Sequence, residues 1–239
     1  MKTVAMLYLC TGAYVYFWEE FFKSFEEKFL PNTEKHYFVW TDSDNIFAED
    51  NKRVHKIYKE CLGFPDETLK RFHTFSTITD KLESFDYFFF MNSNSVCIET
   101  ITEEEFIPND DELLVVKHPG YLNTFVKFLP YERREESTAF IAFDEGKYYV
   151  LGGVNGGPSA IYLKMIHTLK ENIDKDLENN IVAVWHDESH LNKYITNSEV
   201  KFKVLDSDYG FFEDWYMPFL TERIRILEKR KYIDMTNIK

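Results

Sequence analysis

Three cysteines in 239 residues, Cys10, Cys61 and Cys97, are odd in number, far apart and without metal-ligand spacing, so no disulfide framework is implied. Basic charge is also short: 28 Lys and Arg stand against 41 Asp and Glu, a net charge of −13. Neutralising a nucleic-acid backbone needs a basic face, so nucleic acid is not an expected partner. No apolar run approaches the roughly 18 residues of a membrane helix, and Met1-Lys2-Thr3-Val4 passes straight into strand-like sequence without a signal-peptide pattern. A cytoplasmic protein with no membrane anchor is therefore expected. Repeats, low-complexity segments and Pro/Ser-rich linkers are missing too, which makes one mixed domain the simplest organisation.

Aromatic residues are abundant: 23 Phe, 15 Tyr and 4 Trp make 18% of the chain. They fill cores and also stack on sugar and base rings. Thr3–Leu9 is a short apolar run ending in Cys10-Thr11-Gly12, a buried strand and its turn. Phe17, Trp18, Phe21, Phe22, Phe25 and Phe29 recur at helical spacing until Pro31 stops the helix. Residues 36–40 and Val54–Tyr58 read as strands, and 67–82 as a helix whose Thr and Phe lower its propensity. Tyr87–Met91 is a strand that ends abruptly in Asn92-Ser93-Asn94, and residues 113–117 form another before His118-Pro119-Gly120. Alternating strands and helices predict an α/β fold with a mostly parallel sheet and ligands at the strand C-terminal ends. In the second half, 148–151 reads as extended, and Gly152-Gly153-Val154-Asn155-Gly156-Gly157 as a loop with a tight Asn-Gly turn. Tyr162, Ile166, Leu169 and Ile173 mark a helix, 191–195 a short helix and 223–239 a tail.

Two constellations carry chemistry. Asn92-Ser93-Asn94 follows a hydrophobic strand, where nucleotide-sugar enzymes often place Asp-x-Asp to hold a divalent cation. Asparagine amides lack the charge a hard cation favours and can instead donate hydrogen bonds to phosphate or ribose; Asn-Ser-Asn is equally good turn chemistry. Trp185-His186-Asp187-Glu188-Ser189-His190 follows an apolar run. His186 and His190 are four apart, but a zinc-protease helix needs Glu directly after the first His, and Glu188 sits two positions on, so zinc fails. Asp187 could cap a following helix. Paired carboxylates beside an indole also suit carbohydrate chemistry, with the ring on the apolar face of the sugar and a carboxylate stabilising oxocarbenium charge. The glycine doublets match neither a dinucleotide fingerprint nor a phosphate loop.

Taken together the motifs resemble glycosyltransferase family 6, the retaining α-1,3-galactosyl and N-acetylgalactosaminyl transferases that include the ABO blood-group enzymes. The resemblance rests on Lys35-His36-Tyr37-Phe38-Val39-Trp40-Thr41-Asp42, His118-Pro119-Gly120, Tyr131-Glu132-Arg133-Arg134, Asp144-Glu145-Gly146 and Leu151-Gly152-Gly153-x-x-Gly156-Gly157. Its longest stretch is Ala183-Val184-Trp185-His186-Asp187-Glu188-Ser189-His190-Leu191-Asn192-Lys193-Tyr194. It implies a GT-A fold: one catalytic domain over 1–239, with a nucleotide-sugar half to about 117, an acceptor half over about 118–222 and a tail, 223–239, closing over UDP. Without the tail, anchor and stem of the animal relatives, the chain looks like the bacterial branch. There, Asn-x-Asn in place of Asp-x-Asp is understood to work without a metal, so no cofactor is expected.

The resemblance also implies roles by position. Glu188 matches the catalytic glutamate on the β-face of the donor sugar, and Asp187 would hydrogen-bond that sugar. Uridine would rest near Leu9, Cys10, Thr11 and Tyr14, with Tyr14 stacking. Arg71, Asn92 and Asn94 would face the diphosphate, and Lys229, Arg230 and Lys231 would replace part of the missing cation's charge. Leu151, Gly152 and Gly153 would border the donor, and His118, Trp185 and Gly120 the acceptor. Gly120, Leu151 and Gly153 match the blood-group A type, so UDP-GalNAc is the expected donor, with Gly153 leaving room for the acetamido group, and Fucα1-2Gal the expected acceptor. A galactosyltransferase using UDP-Gal and a non-catalytic glycan- or UDP-sugar-binding module are the alternatives.

Overall fold

The computed structural model describes residues 2–235, so Met1 and positions 236–239 of the expected tail lie outside the described residues. In chain order the elements are β1 (Thr3–Leu9), α1 (Trp18–Lys28), β2 (Glu34–Thr41), β3 (Val54–Tyr58), α2 (Asp66–Leu69), α3 (Arg71–Ser76), α4 (Thr79–Leu82) and β4 (Tyr87–Met91). There follow β5 (Ser95–Cys97), α5 (Glu103–Phe106), β6 (Glu112–Lys117), β7 (Val150–Pro158), α6 (Ser159–Glu178), α7 (His186–Asn197), β8 (Lys201–Leu205), β9 (Phe211–Phe212) and β10 (Ile224–Ile226). A seven-stranded sheet runs β3-β2-β1-β4-β7-β6-β8, with only β7 antiparallel to its neighbours, and a small sheet runs β5-β10-β9. This is the α/β architecture expected from the alternation of strands and helices.

Side chains alternate across each strand. Val4, Met6 and Tyr8 of β1, Tyr37 and Val39 of β2, and Phe89 and Met91 of β4 pack with Phe21 and Phe25 of α1. Ala5 and Leu7, Phe38 and Trp40, and Phe88 and Phe90 project the other way onto Phe72 and Phe75 of α3 and Tyr162, Ile166 and Leu169 of α6. The continuous apolar runs therefore belong to strands covered on both faces. Lys35 is buried beneath the end of α1, where its Nζ donates to the Phe29 carbonyl at 2.6 Å and the Leu30 carbonyl at 3.2 Å. A cation there complements the helix C-terminus.

Three expectations need correction. The helix read over 67–82 is three short ones, broken at Lys70 (φ −97°, ψ 18°) and Ile78 (φ −130°, ψ 23°). Hydroxyls of Thr68, Thr74, Ser76 and Thr77 donate to carbonyls three or four residues earlier, competition that destabilises a continuous helix. The glycine-rich loop with an Asn-Gly turn is instead β7, hydrogen-bonded between β4 and β6. Its glycines answer bulky neighbours: a Cβ on Gly156 would lie 2.2 Å from Phe89 Cδ1 and 2.3 Å from the Phe88 carbonyl oxygen. The short helix expected at 191–195 is longer and begins within the polar cluster, at His186, so Asp187 lies in the first turn rather than at the cap.

Among the described residues no helix is long and apolar enough to cross a membrane.

Candidate active site

A cavity of about 570 Å³ opens where β1 and β4 end and β7 begins. Its wall includes Leu9, Thr11 and Tyr14 after β1, Arg71 of α3, Asn92 and Asn94 after β4, Leu151, Gly152 and Gly153 of β7, Trp185, Asp187 and Glu188 at the start of α7, and Lys229 from the C-terminal segment. The fold thus gathers most of the sequence-predicted residues from six separate stretches into one place. Cys10 belongs to the core instead, and His118, Gly120, Arg230 and Lys231 do not line the cavity.

Glu188 has a donor on each carboxylate oxygen. The Tyr149 hydroxyl donates to Oε1 at 2.7 Å and the Gly152 N–H to Oε2 at 2.7 Å. Burial pushes its carboxyl up to about 7 against the pull of these two hydrogen bonds. Next to it, Asp187 Oδ2 meets Arg71 Nη1 at 2.7 Å, both side chains being buried. Burial raises Asp187 to about 6, and Arg71 opposes that rise. Arg71 is aimed by a second hydrogen bond, Nη1 to the Gly152 carbonyl at 3.0 Å, and by the Phe90 ring 4.3 Å beneath its guanidinium. Its buried Nε has no protein partner. The break at Lys70, which spoils the long helix, starts α3 at this arginine.

The chain enters α7 through His186, whose φ of 51° lies in the left-handed region, a strained conformation for a non-glycine residue. The Tyr131-Glu132-Arg133-Arg134 motif holds that entry. Buried Glu132 accepts from the Val184 N–H at 2.8 Å and from Arg134 Nη2 at 2.6 Å, while Arg134 Nη2 also donates to the Val182 carbonyl at 2.6 Å. Burial would raise the Glu132 carboxyl, but the Arg134 and backbone donors outweigh it and hold it down to about 2.

At the exit of β4, the Asn92 N–H donates to the Gly153 carbonyl at 2.8 Å. A Cβ on Gly153 would fall 2.3 Å from Asn92 Nδ2, so the space expected to be open above Gly153 is occupied by the Asn92 amide. Asn94 Nδ2 donates to the Leu227 carbonyl at 2.7 Å. Two neutral amides and a hydroxyl thus stand where a hard cation would want carboxylates. Among the described residues no group of three or more His, Cys, Asp or Glu is placed to hold a metal ion. Asn92 and Asn94 themselves therefore bring no carboxylate to a cation. Lys229 Nζ reaches Tyr14 Oη at 3.0 Å, bringing a cation to the cavity, whereas Lys231 is paired with Asp214 and Arg230 is exposed.

At the other end, His118 Nδ1 accepts from the Gly120 N–H at 3.1 Å, and the His118 ring lies among Tyr121, Phe212 and Tyr149. Burial lowers the imidazole to about 4, so it is neutral. A Cβ on Gly120 would meet Trp215 Cη2 at 3.1 Å, which places Trp215 over that turn. Trp185 is 47% exposed on the cavity rim, free to present its indole face. Not singled out by the sequence are Tyr149, which bonds Glu188, and Phe64, Glu213, Asp214 and Trp215, which line the cavity. Tyr149 was signalled only by its place two residues before the Leu151-Gly152-Gly153 motif, and the others by nothing local.

Comparison with known proteins agrees with this geometry. The family model described as glycosyltransferase family 6 matches residues 1–237. The chain is 37% identical over 191 residues to the O-antigen biosynthesis glycosyltransferase WbnI of Escherichia coli, covering 80% of this chain and 81% of that protein. It is 28% identical over 214 residues to globoside alpha-1,3-N-acetylgalactosaminyltransferase 1 of Homo sapiens and 27% identical over 219 residues to histo-blood group ABO system transferase 1 of Rattus norvegicus. Each of these two alignments covers 87% of this chain but 60% of the longer mammalian protein. The chain belongs to glycosyltransferase family 6 and is a glycosyltransferase, with a nucleotide-sugar donor and a glycan acceptor, on a GT-A type fold in one domain.

Proposed function

We propose that this chain is a retaining α-1,3-N-acetylgalactosaminyltransferase that moves GalNAc from UDP-GalNAc to a galactoside acceptor of the Fucα1-2Gal type, without a divalent metal. The observation that carries the reading is the Glu188 carboxylate, held on both oxygens at the cavity wall beside the Arg71–Asp187 pair. As the donor bond breaks, positive charge grows at the anomeric carbon and negative charge on UDP. An ionised Glu188 opposes the first, as nucleophile or as counter-charge. Arg71 and Lys229, with the amide donors Asn92 and Asn94, oppose the second; such preorganised donors act where charge develops. Neutral ligands in the Asp-x-Asp position support work without a cation.

The GalNAc donor is supported by the two mammalian relatives with N-acetylgalactosaminyl or ABO in their names, and by Gly120, Leu151 and Gly153. One observation favours the second reading, UDP-Gal: the Asn92 amide fills the space above Gly153 that an acetamido group would otherwise use. Product formation from UDP-GalNAc and from UDP-Gal with 2′-fucosyllactose, each with and without excess EDTA, tests both points. Faster transfer from UDP-GalNAc, unchanged by chelation, supports the proposal. Faster transfer from UDP-Gal selects the second donor, and loss of turnover in EDTA overturns metal independence.

A further inference from the structure

Glu188 sits in a place that should protonate it, yet the role proposed above needs it ionised. Its carboxylate is surrounded by α7 itself, by β7 and the residue before it, by α3, and by the turn carrying His118 and Tyr121. The charged and titratable groups facing it are Asp187, which disfavours its charge, Arg71, which favours it, Tyr149, and Tyr121, whose own ionisation Glu188 opposes. His118 packs behind Tyr149 and is neutral. Arg71 bonds Asp187 and the Gly152 carbonyl, and among the described residues no cation bonds Glu188 directly. Among the described residues only two groups bond its oxygens, the Gly152 N–H and the Tyr149 hydroxyl.

From this geometry we propose that Tyr149 is a positioning residue whose hydroxyl keeps Glu188 ionised and pointed at the donor sugar. The hydroxyl can serve because it is itself immobile. Tyr149 is 2% exposed, and its ring is wedged against Tyr121 (centroids 5.2 Å), Tyr131 (5.6 Å) and His118 (5.9 Å). Its phenol is raised well above the ordinary value by burial and by Glu188, so it remains a donor rather than a competing anion. Tyr149 and Gly152 flank Val150 and Leu151 at the start of β7, and the carboxylate bridges them. The strand end thus sets the orientation of a residue from α7. Tyr131, by contrast, donates its hydroxyl to the Tyr148 carbonyl at 2.7 Å, so only its ring bears on Tyr149 and Tyr131→Phe keeps that ring.

The inference rests on the role given to Glu188, and the test separates the two. Chains labelled with 13C-glutamate are titrated by NMR, with the Glu188 carboxyl resonance assigned by its absence in Glu188→Gln. Removing a hydrogen bond to the charged form should raise the midpoint in Tyr149→Phe by about one pH unit, a tenfold change in proton affinity. The acid limb of kcat/KM should move by the same amount, while Tyr131→Phe leaves both where they were. A midpoint unmoved in Tyr149→Phe overturns the inference whether or not transfer is observed. Should Tyr149→Phe fail to fold, 3,5-difluorotyrosine at 149 supplies a stronger donor, and the midpoint must then fall. Full transfer by Glu188→Gln would overturn the Glu188 reading instead, leaving the titration result to stand alone.

Discussion

Asn94 and Leu227 hold each other by reciprocal hydrogen bonds: Asn94 Nδ2 donates to the Leu227 carbonyl at 2.7 Å, and the Leu227 N–H donates to the Asn94 carbonyl at 2.8 Å. The pair ties the exit of β4 to the segment that delivers Lys229 to Tyr14. An aspartate at 94 would turn a donor into an acceptor facing a carbonyl. Asn94→Asp should therefore lose about 1–3 kcal/mol in urea unfolding and weaken UDP binding, rather than create a cation site. Hydrogen exchange at the Leu227 amide should quicken. Activation of Asn94→Asp by Mn²⁺ with unchanged stability would contradict this account.

The same segment separates its basic residues by what they already touch. Lys229 faces the cavity and Tyr14, while Lys231 is neutralised by Asp214. Lys229→Ala should raise the UDP dissociation constant about three- to tenfold, more at low ionic strength, and Lys231→Ala by less than twofold. Calorimetric titration with UDP measures both. Equal effects would show that the tail acts by summed charge alone.

How far the chain could be read from its sequence follows from how local each cause is. Thr3–Leu9 and Tyr87–Met91 are legible to the residue because an apolar run between polar breaks is a local signal. β7 was not, because its glycines are set by Phe89 and Asn92 on the neighbouring chain segment, and glycines by themselves spell a turn. The 67–82 helix failed on hydroxyl competition that periodicity does not register. At the site, the motif residues stood out by resemblance, but Tyr149 was one tyrosine among 15, and the bond from Asn94 to Leu227 spans 133 positions.

Gly153 and Asn92 should behave as one unit. A methyl at 153 must displace the Asn92 amide, 2.3 Å away. Gly153→Ala should lower kcat/KM for UDP-GalNAc, and Asn92→Ala should lower it too. Because the first variant acts by moving the second residue, their double variant should be less impaired than the sum, with a coupling of about 0.5–3 kcal/mol. Simple additivity of the kcat/KM losses would refute that.

Glu132 should set an acid limit on stability. Its folded carboxyl is held down to about 2 against an ordinary 4.5, so its contribution is present above about 4.5 and is lost as pH falls through about 2. Thermal unfolding between pH 6 and 2 should show the fall, and Glu132→Gln should flatten it. The variant should also slow transfer at neutral pH, because the Val184 N–H that fixes the entry to α7 loses its charged acceptor. An unchanged acid profile would remove Glu132 as the clamp.

Glu188 should carry the opposite sign. Its folded carboxyl is raised to about 7 from an ordinary 4.5, so the folded state binds the proton more tightly than the unfolded chain does. The ionised side chain therefore costs stability above about pH 7, and the cost fades as pH falls towards 4.5. Glu188→Gln removes that charge, and should gain on the order of 1 kcal/mol or more at pH 8 with little gain at pH 4. Transfer should meanwhile fall at least about a hundredfold, with UDP affinity within threefold of the parent. The parent should lose activity as pH drops through about 7, where the carboxylate takes up its proton. A variant both less stable at pH 8 and fully active would show that Glu188 is a structural residue, its two hydrogen bonds serving the fold alone.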